Sequence, residues 1–143
     1  MAGHLQEFKA QLVSVLAADA TLTALLSSTS AIFYRRIPGV ADYPALFYAV
    51  ETAYRPEVTR EGIRKLAVRF TAIGDDPDAL DQIENALEVL LDANPSVLSS
   101  ANWTCKRLKI ESSEPQDVDR FDPDTTEVLW SNVITFEAML YAN

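Results

Sequence analysis

"GDDPDALDQIENALEVLLDAN", Gly74–Asn94, is the stretch whose reading decides the fold. Gly74 breaks whatever precedes it. Asp76 can cap a helix, Pro77 suits the first helical position, and Asp78 and Asp81 suit the positive end of a helix dipole. Leu80, Ile83, Leu87, Leu90 and Leu91 then recur at helical spacing. An amphipathic helix is therefore expected here, and everything else is placed relative to it.

Upstream lie "ALFYAVETAY" and "IRKLAVRFTAI". In the second, Leu66, Val68 and Phe70 alternate with Lys65, Ala67 and Arg69, which is strand periodicity. The pair reads as an antiparallel hairpin with a long, charged tip, "RPEVTREG". Downstream, "WTCKRLKIESS" reads as a strand and "EPQDVDRFDPDTTE" as a long acidic loop. "EVLWSNVITFEAMLY" is the last strand, with Val128, Trp130, Ile134, Phe136, Ala138 and Leu140 on one face. Its other face carries Leu129, Val133 and Met139 among polar residues. A strand apolar on both sides needs cover on both, and a neighbouring copy is one candidate cover.

At the front, "HLQEFKAQLVSVLAA" places Leu5, Phe8, Leu12, Val15 and Leu16 on one helical stripe. Asp19 looks like a fresh cap for "ATLTALL". "AIFY" is a minor strand or a bridge, and "RRIPG" is a loop. The expectation is an α+β fold: an antiparallel four-stranded sheet with two amphipathic helices packed on one face, as one domain over residues 1–143.

Composition narrows the function. The 143 residues are 48% hydrophobic, enough for one real core. The single cysteine, Cys105, excludes an internal disulfide. "MAGHLQEFKAQ" does not read as a signal peptide, and no apolar run approaches the roughly 20 residues of a membrane span. The net charge of −9 argues against general nucleic-acid binding. That charge is unevenly spread. Residues 1–74 hold eight Lys/Arg against six Asp/Glu, and residues 75–143 hold four against fifteen.

The search for chemistry yields little. His4, the only histidine, reads as a solvated terminal residue, and Cys105 as a small buried hydrophobe. The four glycines lie too far apart for a phosphate-cradling loop. Asp117, Asp119, Asp122 and Asp124 are dense enough to raise the question of a cation, but they fail the calcium-loop spacing. No cofactor and no metal is expected. Trp103, Trp130, Tyr34, Tyr43, Tyr48 and Tyr54 suit either core packing or interface anchoring.

The order of "LAADATLTALL", "IFYRRIPG", "DYPALFYAV", "LAVRFTAIG", "ALDQIENALEVLLDA" and "LWSNVITFEAMLY" resembles the phage tail terminator or tail completion family, over nearly the whole chain. "FTAIG" departs from it, since many relatives carry a tryptophan at the end of the central strand. The resemblance implies a non-enzymatic virion protein at the head-proximal end of the tail, assembled in the host cytoplasm. It implies a homo-oligomeric, typically hexameric ring that stops tail-tube polymerisation. Its partners would be the major tail tube protein and the head–tail connector or stopper, with DNA passing through the lumen unbound and no membrane involved. Arg35, Arg36, Arg55, Arg60 and Arg64 against Asp117, Asp119, Asp122 and Asp124 are the expected contact residues between copies. A head–tail adaptor or neck protein is the alternative in the same class. A small carboxylate-site metal- or ligand-binding domain or enzyme is the alternative in another.

Overall fold

The structure, a computed structural model, describes residues 3–28, 30–35, 42–52, 62–122 and 127–143. In chain order the elements are α1 (His4–Ala18), α2 (Ala20–Leu25), β1 (Ile32–Tyr34), β2 (Ala45–Thr52), β3 (Ile63–Gly74), α3 (Pro77–Leu91), a 3-10 turn (Pro95–Leu98), β4 (Trp103–Asp122) and β5 (Glu127–Ala142). The strands form one sheet in the order β1-β2-β3-β5-β4.

The α+β expectation holds in part: three α-helices are described where two were expected, and the strands also differ. The described sheet has five strands rather than four, because "IFY" pairs with β2, Ile32 opposite Leu46. That pair is parallel, so the sheet is mixed. The acidic stretch after Ser113 is also no loop as far as Asp122. It continues β4 along β5 to the pair Asp122–Glu127. β4 carries four register shifts along β5, and the two at Glu114/Asp117 and Val118/Arg120 let this polar segment stay in the ladder, each bulge adding a residue and increasing the local twist.

Both caps form as expected. Asp19 Oδ2 accepts from the Leu22 amide at 3.0 Å, and Asp76 Oδ1 accepts from the Asp78 amide at 3.1 Å. The first cap splits the front helical stretch in two, giving α1 and a six-residue α2 beside α3. Gly74 has a packing reason: a Cβ there would lie 3.3 Å from Leu80 Cδ2 and 3.4 Å from Pro44. The glycine thus lets the end of β3 approach both the start of β2 and α3.

The core lies between the helices and one sheet face. Phe8, Leu12 and Leu16 of α1 and Leu80, Ile83, Leu87 and Leu91 of α3 meet Leu46, Leu66, Val68, Phe70, Ile134, Phe136 and Leu140. Among the described residues, the opposite sheet face carries no helix. Ile73, Leu129 and Val133 point to that side and are buried outside the main core, within this single chain. A second copy is therefore not needed to cover Leu129 and Val133.

β4 ends the sheet, and a strand edge with unpaired amides is a template for unwanted pairing. Over residues 103–110 the segment after α3 closes that edge. The Ser100 amide donates to Trp103 O, the Cys105 amide to Ser99 Oγ, the Ala93 amide to Leu108 O and the Ile110 amide to Asp92 Oδ1, all at 2.8–3.0 Å. Beyond it, Pro115 has no amide to offer, and the Val118 amide is taken by Asp117 Oδ1 at 2.8 Å. Exposed Glu111, Glu114, Asp117 and Asp119 add charge. The edge is built against strand addition, so assembly through this end would use side chains.

Candidate assembly surface

The helix-free sheet face forms an open groove of about 840 Å³. Its floor is Phe47 and Ala49 of β2, Ala67 and Thr71 of β3, and Val133 of β5. Arg35 stands at the β1 side, and Glu114, Asp117 and Asp119 stand at the β4 side. The floor mixes these apolar side chains with polar Thr71, Ser131 and Thr135 and charged Glu51 and Arg69, and the rims are charged, an arrangement suited to contact with protein. Arg69 reaches across from β3 to Glu114 at 3.6 Å.

At the β1 end three side chains stack. Lys9 Nζ lies 4.2 Å from the centre of the Tyr34 ring, and the Arg35 guanidinium lies 5.2 Å from it. Behind, Tyr34 packs on Tyr48 with ring centres 5.3 Å apart. The neighbouring Lys9 and then Arg35 pull the Tyr34 phenol below the usual tyrosine value. The hydroxyl itself is buried without a well-formed hydrogen bond among the described residues, so we attribute that pull to the two charges. Arg35 adopts φ 69°, a left-handed conformation that costs a non-glycine residue about 1–2 kcal/mol. Its amide donates to Tyr48 O at 2.7 Å, which anchors the residue as the chain leaves the sheet.

The expected contact residues divide. The structure puts Arg35, Asp117 and Asp119 around one groove. Arg64 is elsewhere, at the start of β3, with its guanidinium 5.9 Å from the Trp103 ring and Nη1 donating to Ile63 O. Asp122 ends β4. Arg36, Arg55, Arg60, Asp124 and Tyr54 lie outside the described residues. Lys9 escaped the sequence reading because it sits on a helix otherwise read only for its apolar stripe. The remaining aromatics belong to packing: Tyr48 and Trp103 are buried in the core, and Tyr34, Tyr43 and Trp130 pack against it.

The chemically suggestive residues have structural partners. Cys105 is buried, and burial pushes its thiol up, which keeps it protonated. Among the described residues, no three His, Cys, Asp or Glu side chains converge on a possible metal position. None of the described helices is long and apolar enough to cross a membrane. Sequence reasoning missed a polar clasp on the helix side. Buried Asn132 donates to Asp81 Oδ1 at 2.8 Å and Glu84 Oε2 at 3.1 Å, and accepts from Gln116 Nε2 at 2.7 Å. Gln116 also donates to Pro77 O at 3.1 Å. The clasp ties β4 and β5 to the start of α3.

His4 is not the solvated residue expected from its position. It packs edge-on against Trp103, ring centres 5.6 Å apart, and shares a 3.4 Å hydrogen bond with Thr52 Oγ1. Burial, and secondarily Arg64, hold its pKa below the ordinary value. The folded state therefore binds this proton less readily than the unfolded chain. Stability from this group is present above the unfolded pKa of about 6.5 and is lost as pH falls through the folded value. We expect His4→Gln to flatten the decline in melting temperature between about pH 7.5 and pH 5.5. Equal declines in both proteins would remove His4 from the account.

A chain from a structure described as the virion of a native gene transfer agent particle superposes with a TM-score of 0.65. The match covers 93% of this chain and 93% of that chain, at 15% sequence identity. The two chains share one fold. No family model matches this sequence, and no curated protein matches it.

Proposed function

We propose that this chain is a structural virion protein of a tailed phage or phage-like particle. In this reading it forms a ring at the head-proximal end of the tail tube, stops tube growth and offers the docking surface for the head connector. The observation that carries the reading is the fold shared over 93% of both chains with a component of a gene transfer agent virion. The terminator role adds the order of sequence features that resembles tail terminators. The charged groove supports a protein-binding role, and the partners of Cys105 and His4 leave neither poised as a nucleophile or base.

The physical logic of termination is geometric. A tube end repeats one heterologous contact at each layer, so growth continues until something occupies the end with a face that does not copy it. Particles lacking this chain are expected to carry tubes of uncontrolled length that never join heads, read directly in electron micrographs. Tails of normal length left unattached would instead assign a head-side adaptor role. Normal, joined particles would overturn both.

A further inference from the structure

We propose that copies of this chain join head to tail, the Lys9–Tyr34–Arg35 cluster of one copy receiving the Asp117 and Asp119 carboxylates of the next. The inference rests on the ring reading above and names its lateral contact.

The two patches sit at opposite ends of one sheet. Arg35 follows β1, Asp117 and Asp119 lie on β4, and the order is β1-β2-β3-β5-β4. Four interstrand steps of about 4.8 Å separate the ends by about 19 Å. Complementary surfaces on opposite sides of a subunit generate rings or filaments, whereas a two-fold dimer needs one self-complementary patch.

Lys65 and Arg107 both pair with Glu137 at 3.3 Å, and Arg69 pairs with Glu114 at 3.6 Å. Among the described residues, Lys9 and Arg35 form no ion pair, although the Glu51 carboxylate acts on Arg35 through space. Both cations are instead stacked on Tyr34, and Arg35 keeps a strained backbone conformation while its side chain is exposed. Strain held at a surface cation fits a residue set for a partner.

The acidic side is exposed at the other end of the sheet. The paired strands β4 and β5 continue past the end of β3, whose last partner is Trp130, to the pair Asp122–Glu127. Asp117, exposed Val118 and Asp119 lie where that two-stranded ribbon begins. The closed edge of β4 blocks simple strand addition, which leaves side-chain charge as the means of contact. A second copy is favoured over a nucleic acid because the chain carries −9 overall and the cluster offers two cations, too few to track a phosphate backbone.

The test is sedimentation velocity on purified protein at low and high salt. Wild type is expected to form species larger than a dimer at low salt and to lose them at high salt, where exposed charges are screened. Lys9→Glu/Arg35→Glu and Asp117→Lys/Asp119→Lys should each remain monomeric, and their equimolar mixture should regain the large species, since the reversed patches attract. The neutral pair Lys9→Gln/Arg35→Gln, checked for a wild-type melting temperature, guards against misfolding and should also lose assembly. A wild type that stays monomeric or stops at a dimer, variants that assemble alone, or a mixture that does not recover would overturn the proposal. The functional reading stands or falls separately, on particles lacking the chain.

Discussion

Phe136→Ala is expected to cost about 3–5 kcal/mol, the usual range for emptying a buried aromatic site. Phe136 is fully buried on β5, between Val68 of β3 and Ile110 of β4. Its ring meets Phe70 edge to face, centres 5.7 Å apart at 84°. Truncation removes that aromatic pair and leaves a void where strands and helices converge. Strands held in register on both sides cannot move inward to fill it. Against a typical domain stability of about 5–15 kcal/mol, the loss is a third or more of the total in most cases. The measurement is the urea midpoint beside that of Val89→Ala, whose side chain is 77% exposed and should cost no more than about 0.5 kcal/mol. A Phe136→Ala midpoint no lower than that of Val89→Ala would place the core elsewhere.

Where one local force dominated, the fold was legible in the sequence. The Asp76–Pro77 start and the five-residue apolar stripe gave α3, and strict alternation through Leu66, Val68 and Phe70 gave β3. What was hidden depended on distant partners. "IFY" carries too few residues to announce a strand and becomes one because β2 lies beside it. Residues 114–122 read as a loop because acid, proline and polarity outweigh strand propensity locally. They extend because β5 supplies the ladder and the bulges absorb the misfit. The site was half legible. Arg35 stood out beside Pro38 and Gly39, and Asp117 and Asp119 stood out by density. Their arrangement across one groove needed the strand order. Asn132 left one faint sign, since it interrupts the inward series of Trp130, Ile134, Phe136 and Ala138.

Asn132→Asp turns that interruption into a measurable charge effect. The Asn132 amide donates to Asp81 and Glu84 together, and its carbonyl accepts from Gln116. An aspartate in the same place has no amide to give. It sets a third carboxylate against two others in a position 4% exposed, so burial and like charge both oppose its ionised form. Near neutral pH the expected loss is about 3–5 kcal/mol, the range for leaving a buried charge uncompensated. The folded pKa of the new group lies above its unfolded value of about 3.9. The proton is therefore bound more readily by the folded state, and the penalty shrinks as pH falls through the folded pKa. Denaturant midpoints at about pH 7 and pH 5 should show the variant recovering part of its deficit relative to wild type at the lower pH. A constant deficit would mean lost packing alone. The clasp also has a reach beyond stability. Gln116 anchors β4 one residue before Asp117, so loosening it frees the strand that presents the acidic patch. Hydrogen exchange should therefore rise at residues 113–119 in the variant, and head-to-tail assembly should weaken under conditions where the remaining fold is intact.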